Sequence, residues 1–253
     1  ISERELELPE AVIGKLLKIA AENKDIISLG VGEPDFITPK PILDYARKII
    51  NKTTHYAPTQ GIKELRESIA KKLKKENNIK ANPENVVVTV GSQEATFSAL
   101  MCSIDPGEQV IVPNPCYLAY TPAIELLSAT PVYVKLEEEE NFEINPDKIK
   151  ESIDKKKTKV IILNTPSNPT GNVLSRKTLE EIADIAIEND LYIFSDEAYE
   201  KLIYDDAKHI SIGSLNGMQN HVVTIQTFSK SYAMCGFRIG YLHAPAELAK
   251  AII

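Results

Sequence analysis

Apolar positions along the chain follow two different periods. Six short runs are almost continuous in β-branched and aliphatic residues: "NVVVTV" (85–90), "QVIV" (109–112), "PVYVKL" (131–136), "KVIILN" (159–164), "LYIFS" (191–195) and "HVVTIQT" (221–227). Continuous rather than alternating apolar runs predict strands buried on both faces. Between them the period becomes helical, as in "EATFSALMCSI" and "SRKTLEEIADIAIEN", where Leu179, Ile182, Ala183, Ala186 and Ile187 share one face. Two amphipathic helices, "PKPILDYARKII" and "GIKELRESIAKKLKKEN", and an N-terminal segment, "PEAVIGKLLKIAAEN", precede the first strand. Strand–helix alternation predicts an α/β fold: a mostly parallel sheet between two helical layers, a three-layer α/β/α sandwich. A seventh candidate, "FRIGYL" (237–242), follows the sixth run after only nine residues. A parallel crossover needs about a dozen or more residues, so this last strand of seven should run antiparallel.

Composition narrows the class. At 253 residues, 43% hydrophobic and 26% charged, the chain has the make-up of a globular α/β protein of one large or two modest domains. No apolar run approaches the roughly 20 residues needed to cross a bilayer, and no basic-then-apolar leader is visible, so no membrane partner is expected. A net charge of -7 argues against a nucleic-acid partner, which would require a basic face. Cys102, Cys116 and Cys235 are too scattered for a disulfide framework and are expected as small buried residues. The histidines show no metal-ligand spacing, so no metal is expected, and the setting is expected to be reducing and cytoplasmic. "EEEE" (137–140) and "DKKKTK" (154–159) are expected as solvated loops or helix ends. The chain opens without Met and closes inside a helical pattern that starts after Pro245, which is expected of a fragment.

In an open α/β sheet, ligands sit at the carboxyl ends of the strands. After the first run, Gly91, Ser92 and Gln93 enter a helix, where small residues and the helix N-terminus suit an anion, unless Ser92 is simply an N-cap. After the second, Tyr117 of "PNPCYLAY" either lies on a planar ligand or packs on the sheet. After the fourth comes the tight polar loop "NTPSNPTG", with Asn168. After the fifth, Asp196 and Glu197 of "SDEAY" end a run that should be buried, where an ionised carboxylate needs a partner. Tyr199, three residues on, should share a side with Asp196 if one helical turn follows. After the sixth, Thr227, Ser229, Lys230 and Arg238 bring two hydroxyls and two cations to the same edge. A phosphate cradle, an aromatic plate, an amide, a buried acid, a phenol and an amine together suit pyridoxal 5′-phosphate (PLP).

The strings "SLGVGEPDF", "THYAPTQG", "VTVGSQEA", "NPCYLAY", "NTPSNPTG", "SDEAY" and "TFSKSYAMCGFRIGY" occur in the order seen in one family. The chain resembles a fold-type I PLP-dependent aminotransferase (class I/II) of the aspartate aminotransferase superfamily, cut short before the end of the small domain. The resemblance implies that residues 1–38 form an N-terminal arm and part of the small domain, and 39–253 the large PLP-binding domain. It implies transamination between an L-amino acid and a 2-oxo acid, with Lys230 as the Schiff-base lysine and proton carrier. Asp196 would pair with the pyridine nitrogen, Asn168 and Tyr199 would bond the phenolic oxygen, and Tyr117 would stack on the ring. Gly91, Ser92, Gln93, Thr227, Ser229 and Arg238 would hold the phosphate. Tyr56 would reach it from the other subunit of a homodimer, and Gly32 and Asn168 would meet the substrate.

Family members are longer and carry the arginine for the substrate's α-carboxylate beyond the point where this sequence stops. Gln93 stands where one aspartate-using branch has a lysine, which leaves aromatic, broad or aspartate-type donors open. A β-lyase or synthase with the same site, or a noncatalytic PLP-binding regulatory module, are the alternative functions.

Overall fold

The computed structural model describes residues 12–23, 25–27, 30 and 32–253, the side chains of Val12, Ile13 and Leu17 excepted. Residues 1–11 of the expected arm, and Ser28, Leu29 and Val31 of "SLGVGEPDF", lie outside the described residues. All seven apolar runs form strands of one sheet: β1 (Val86–Thr89), β2 (Gln109–Asn114), β3 (Thr130–Lys135), β4 (Thr158–Asn164), β5 (Tyr192–Asp196), β6 (Val222–Thr227) and β7 (Gly240–His243). Their spatial order is β1-β7-β6-β5-β4-β2-β3. β7 runs antiparallel to both of its neighbours, pairing Thr227 with Gly240 on one side and Thr89 with Gly240 on the other. The remaining pairs are parallel.

The helices are α1 (Val12–Glu22), α2 (Lys40–Ile49), α3 (Lys63–Glu76), α4 (Ser92–Ser103), α5 (Tyr120–Leu126), α6 (Pro146–Glu151), α7 (Arg176–Glu188), α8 (Phe228–Ser231) and α9 (Ala246–Ile252). Because successive strand residues point to opposite faces, a strand covered on both sides must be apolar at nearly every position. Val112, Ile162, Phe194 and Ile225 accordingly pack under α4, α5 and α9, against Ala99, Leu100, Ile124 and Leu248. Their neighbours Ile111, Ile161, Leu163 and Ile193 pack on the other face, against Ile149 of α6 and Leu179, Ile182 and Ala186 of α7. Ile69 and Leu73 of α3 cover Val86 and Tyr241 at the β1–β7 edge. Each fully buried aliphatic side chain contributes about 1.5–3 kcal/mol relative to leaving it in water.

Several local expectations need adjustment. Ile187, placed on the buried face of α7 by period alone, is 40% exposed, while Ile185 is buried. The helix packs on a twisted sheet, so its buried stripe drifts, and Ile187 lies over Gly217 instead. The charge run 154–159 ends inside β4, with Thr158 buried. "FRIGYL" becomes a strand only from Gly240, because Arg238 takes a left-handed conformation at φ 55°. The cysteines are half-buried rather than sealed. α2 forms as expected, yet none of its residues is buried. No helix among the described residues is long and apolar enough to cross a membrane.

Candidate functional site

A cavity of about 590 Å³ opens where the parallel strands end. Ser92 and Gln93 line it after β1, Tyr117 after β2, Asn168 after β4, Asp196 at the end of β5 with Tyr199 beyond it, and Thr227 at the end of β6 with Ser229, Lys230 and Arg238 beyond it. Gly32, with Leu16, Gly30 and Glu33, closes over it from the N-terminal side. Of the residues singled out in the sequence, Gly91, Tyr56 and Glu197 do not line the cavity. Gly91 sits just behind its wall, whereas the Tyr56 side chain is fully exposed.

One end of the cavity is built for an anion. Gly91, at φ 82°, is the N-cap of α4, and no side chain caps the leading amides of that helix. Ser92 is therefore the first helical residue, not the cap. Uncapped N–H groups and the helix dipole together favour negative charge. A methyl group on Gly91 would come within 2.8 Å of Arg238 Nη2, so the guanidinium lies against the same turn. A Cβ on Gly240 would lie 2.5 Å from the Gly91 carbonyl carbon and 2.6 Å from the Ser92 nitrogen. β7 thus approaches the cradle through a position that only glycine can fill. The Thr227 hydroxyl caps α8, accepting from the Ser229 amide at 3.1 Å.

Asp196 is a buried carboxylate fixed on three sides. Its Oδ2 accepts from the Tyr120 phenol at 2.6 Å, and its Oδ1 from the Ala198 amide at 3.1 Å. Its backbone carbonyl accepts from Asn164 Nδ2 at 3.0 Å, and Asn164 Oδ1 in turn accepts from the Asn168 amide at 2.6 Å. Burial pushes Asp196 above the usual carboxylate range, against the lowering by Tyr120 and Ala198. Burial, and then the Asp196 charge, push the Tyr120 phenol well above its usual value, so it remains a donor. Tyr117 meets Tyr120 edge-on, with ring centroids 5.5 Å apart.

Lys230 sits on the one-turn helix α8. Its ammonium donates to the Gly32 carbonyl and lies 5.6 Å from the centroid of the Tyr199 ring. The Tyr199 hydroxyl is 3.5 Å from Asn168 Nδ2, at the outer limit of a hydrogen bond, so neither group is locked to the other. Asp196 and Tyr199 share the cavity as expected, but through a hydrogen-bonded turn, with the Glu200 amide on the Glu197 carbonyl at 3.1 Å, rather than through a helix.

Sequence reading missed Tyr120, Asn164 and Cys235. The three-residue spacing from Tyr117 in "YLAY" was a usable signal for Tyr120; Asn164 carried none beyond its place at the end of β4, and Cys235, in a 3-10 turn before β7, carried none. It also missed the approach of Glu197, Glu200 and His209, which bring ligand-type atoms within 4.8 Å of one another. The cation facing that group is the Lys72 ammonium, which is paired with Glu200.

The family model for class I and II aminotransferases matches residues 24–253. The chain belongs to this family. Among class I and II aminotransferases it is 48% identical to an aspartate aminotransferase of Pyrococcus abyssi, over 95% of this chain and 62% of that protein. It is 44% identical to aromatic-amino-acid aminotransferase 2 of Thermococcus litoralis, again over 95% of this chain and 62% of the relative. The structure of Thermus thermophilus aspartate aminotransferase with maleate superposes with a TM-score of 0.95 at 35% identity, covering all of this chain and 66% of that one. The chain thus spans less than two thirds of the length of these aminotransferases.

Proposed function

We propose that this chain is the cofactor-binding part of a PLP-dependent aminotransferase that moves an amino group between an L-amino acid and a 2-oxo acid. One observation carries the proposal: a single cavity is lined by an uncapped helix N-terminus beside an arginine, by a buried carboxylate and by a lysine amine. The donor set fits PLP. The amides of Ser92 and Gln93, the Gly91 turn, Arg238, Thr227 and Ser229 suit its phosphate. Asn168 and Tyr199, loosely paired, have capacity for its phenolic oxygen.

Bound there, PLP would supply an aldehyde and a protonated pyridine ring that draws electron density from the substrate's Cα. Asp196, buried and acceptor-only when ionised, would hold a proton at the ring nitrogen. Tyr117 would lie against the ring face. Lys230 Nζ would anchor the aldehyde, leave the Gly32 carbonyl to do so, and carry the proton at Cα once a substrate amine displaces it. Gly32 and Asn168 would meet the substrate carboxylate.

Residues 1–38 would be arm and small-domain residues and 39–253 the large domain. A homodimer, with Tyr56 reaching the partner's phosphate, fits the full exposure of Tyr56 and the exposed apolar residues Phe36, Ile37, Tyr45 and Ile50 around it in sequence. The amino donor stays at the level of an L-amino acid, because the relatives named above include both aspartate and aromatic-amino-acid enzymes. Because the chain covers only 62% of those relatives, it is expected to take up PLP more readily than it turns over substrate.

Titrating the purified chain with PLP tests the proposal. After unbound PLP is removed by dialysis, a visible absorbance band should remain with the protein, and it should be absent in Lys230→Ala. No band in the wild type, or an unchanged band in the variant, would refute it.

A further inference from the structure

The turn that presents Asp196 and Tyr199 to the cavity places a glutamate directly after each. Glu197 and Glu200 do not line the cavity; both are buried on the opposite face of the sheet, at 0% and 6% exposure. Oε2 of Glu197 accepts from Ser211 Oγ at 2.6 Å, His209 Nε2 at 3.0 Å, and Asn77 Nδ2 and Gln226 Nε2 at 3.3 Å each. Its Oε1 accepts from Ser195 Oγ at 3.0 Å. Glu200 Oε1 pairs with the Lys72 ammonium, and its Oε2 accepts from Asn77 Nδ2 at 2.7 Å and Gln226 Nε2 at 2.9 Å. Lys72 also donates to Asn77 Oδ1 at 2.9 Å.

Burial pushes Glu200 upward, but Lys72, Gln226 and Asn77 outweigh it and hold the carboxyl below its usual range. His209 Nδ1 is buried without a partner, and its Nε2 faces Glu197 at 3.0 Å. Two buried carboxyl groups thus share one lysine partner, and the neutral donors around them must stabilise the carboxylate charge. That charge is tolerable only while its donors stay in place, because a buried charge stripped of partners costs several kcal/mol.

Those donors come from α3 and its C-cap, the loop at 209–211, and strands β5 and β6. Apart from this cluster and the bonds to Asp196, the 197–200 turn is held by few backbone bonds, such as the Glu197 amide on the Ile225 carbonyl at 2.9 Å. A shift of the turn would tear Glu197 and Glu200 from donors on four elements at once. We propose that Glu197 and Glu200 are positioning residues: anchored behind the sheet, they fix the turn that aims Asp196 and Tyr199 into the cavity. This inference rests on the PLP-binding reading of that cavity.

Charge-neutral variants test it, because they remove no formally charged side chain from the cluster. Ser211→Ala removes the shortest donor to Glu197, and Gln226→Leu removes a donor to each glutamate. Two readouts apply: the Asp196 titration, followed by carboxyl-carbon NMR in the cofactor-free chain and assigned with Asp196→Asn, and the PLP dissociation constant. Displacement away from Tyr120 and Ala198 should raise the Asp196 midpoint in both variants. PLP binding should weaken about tenfold in Gln226→Leu and less in Ser211→Ala. A folded variant, by circular dichroism, in which both readouts match the wild type would overturn the proposal. If Gln226→Leu does not fold, Ser211→Ala decides on the same readouts. Should the wild type take up no PLP, the proposed function fails on its own, and the Asp196 titration still decides whether the glutamates position the turn.

Discussion

The Tyr120 phenol donates to Asp196 Oδ2 at 2.6 Å, and both side chains are buried between α5 and β5. A hydrogen bond to the ionised form lowers a carboxyl's proton affinity, so Tyr120 offsets part of what burial does to Asp196. Tyr120→Phe should therefore raise the Asp196 midpoint further and cost about 2 kcal/mol where the carboxyl is ionised. The sign follows from linkage: a carboxyl with a raised folded-state pKa contributes stability at low pH that is lost as pH rises through that pKa. Urea unfolding should show a deficit relative to wild type that is larger at pH 8 than at an acid pH where Asp196 is protonated. An equal deficit at both values would assign Tyr120 a packing role only.

Arg238 and the start of α4 make the anion end of the cavity. If that end takes a phosphate, Arg238→Lys should weaken PLP far more than pyridoxal, which has none. The ratio of the PLP to the pyridoxal dissociation constant should rise about tenfold, as expected when a planar guanidinium contact becomes a point charge. Parallel titrations with the two ligands measure it.

Gly240 has no room for a side chain, since its Cβ would meet the backbone of Gly91 and Ser92 at 2.5 and 2.6 Å. Neither contact is a flexible side chain, so β7 or the α4 turn must move. Gly240→Ala should destabilise the chain by about 2–4 kcal/mol in urea unfolding and also weaken PLP. Gly236→Ala, with open space around the new methyl group, is the control and should cost much less.

His243 ends β7 with Nε2 buried and without a partner, and burial lowers its pKa from 6.5 to about 4. A histidine held neutral in the folded state binds its proton more readily once unfolded. Its contribution is intact above pH 6.5 and is lost as pH falls toward about 4. The loss at the acid end amounts to about 3 kcal/mol. His243→Val should flatten the fall in stability across that window, as measured by urea unfolding at pH 7 and pH 4.5.

Strand and helix identities were readable because side-chain periodicity is a local property. A run such as "KVIILN" is apolar on both faces wherever it sits in the sheet, and nine residues between β6 and "FRIGYL" are too few for a parallel return. The residue types at the strand ends pointed to the cavity for the same reason, since α/β topology brings those ends to one edge. Neighbours across the chain were not readable. Tyr120 lies 76 positions from Asp196 and Lys72 lies 128 from Glu200, and no local period relates them. The buried face of α7 took Ile185 rather than Ile187 once the helix was seated on a twisted sheet. The amino-acid sequence alone determined which segments must hide apolar surface and which chemical groups end them. Only the tertiary structure decided which carboxylate meets which donor, because that choice rests on desolvation and pairing between elements that the chain order keeps apart.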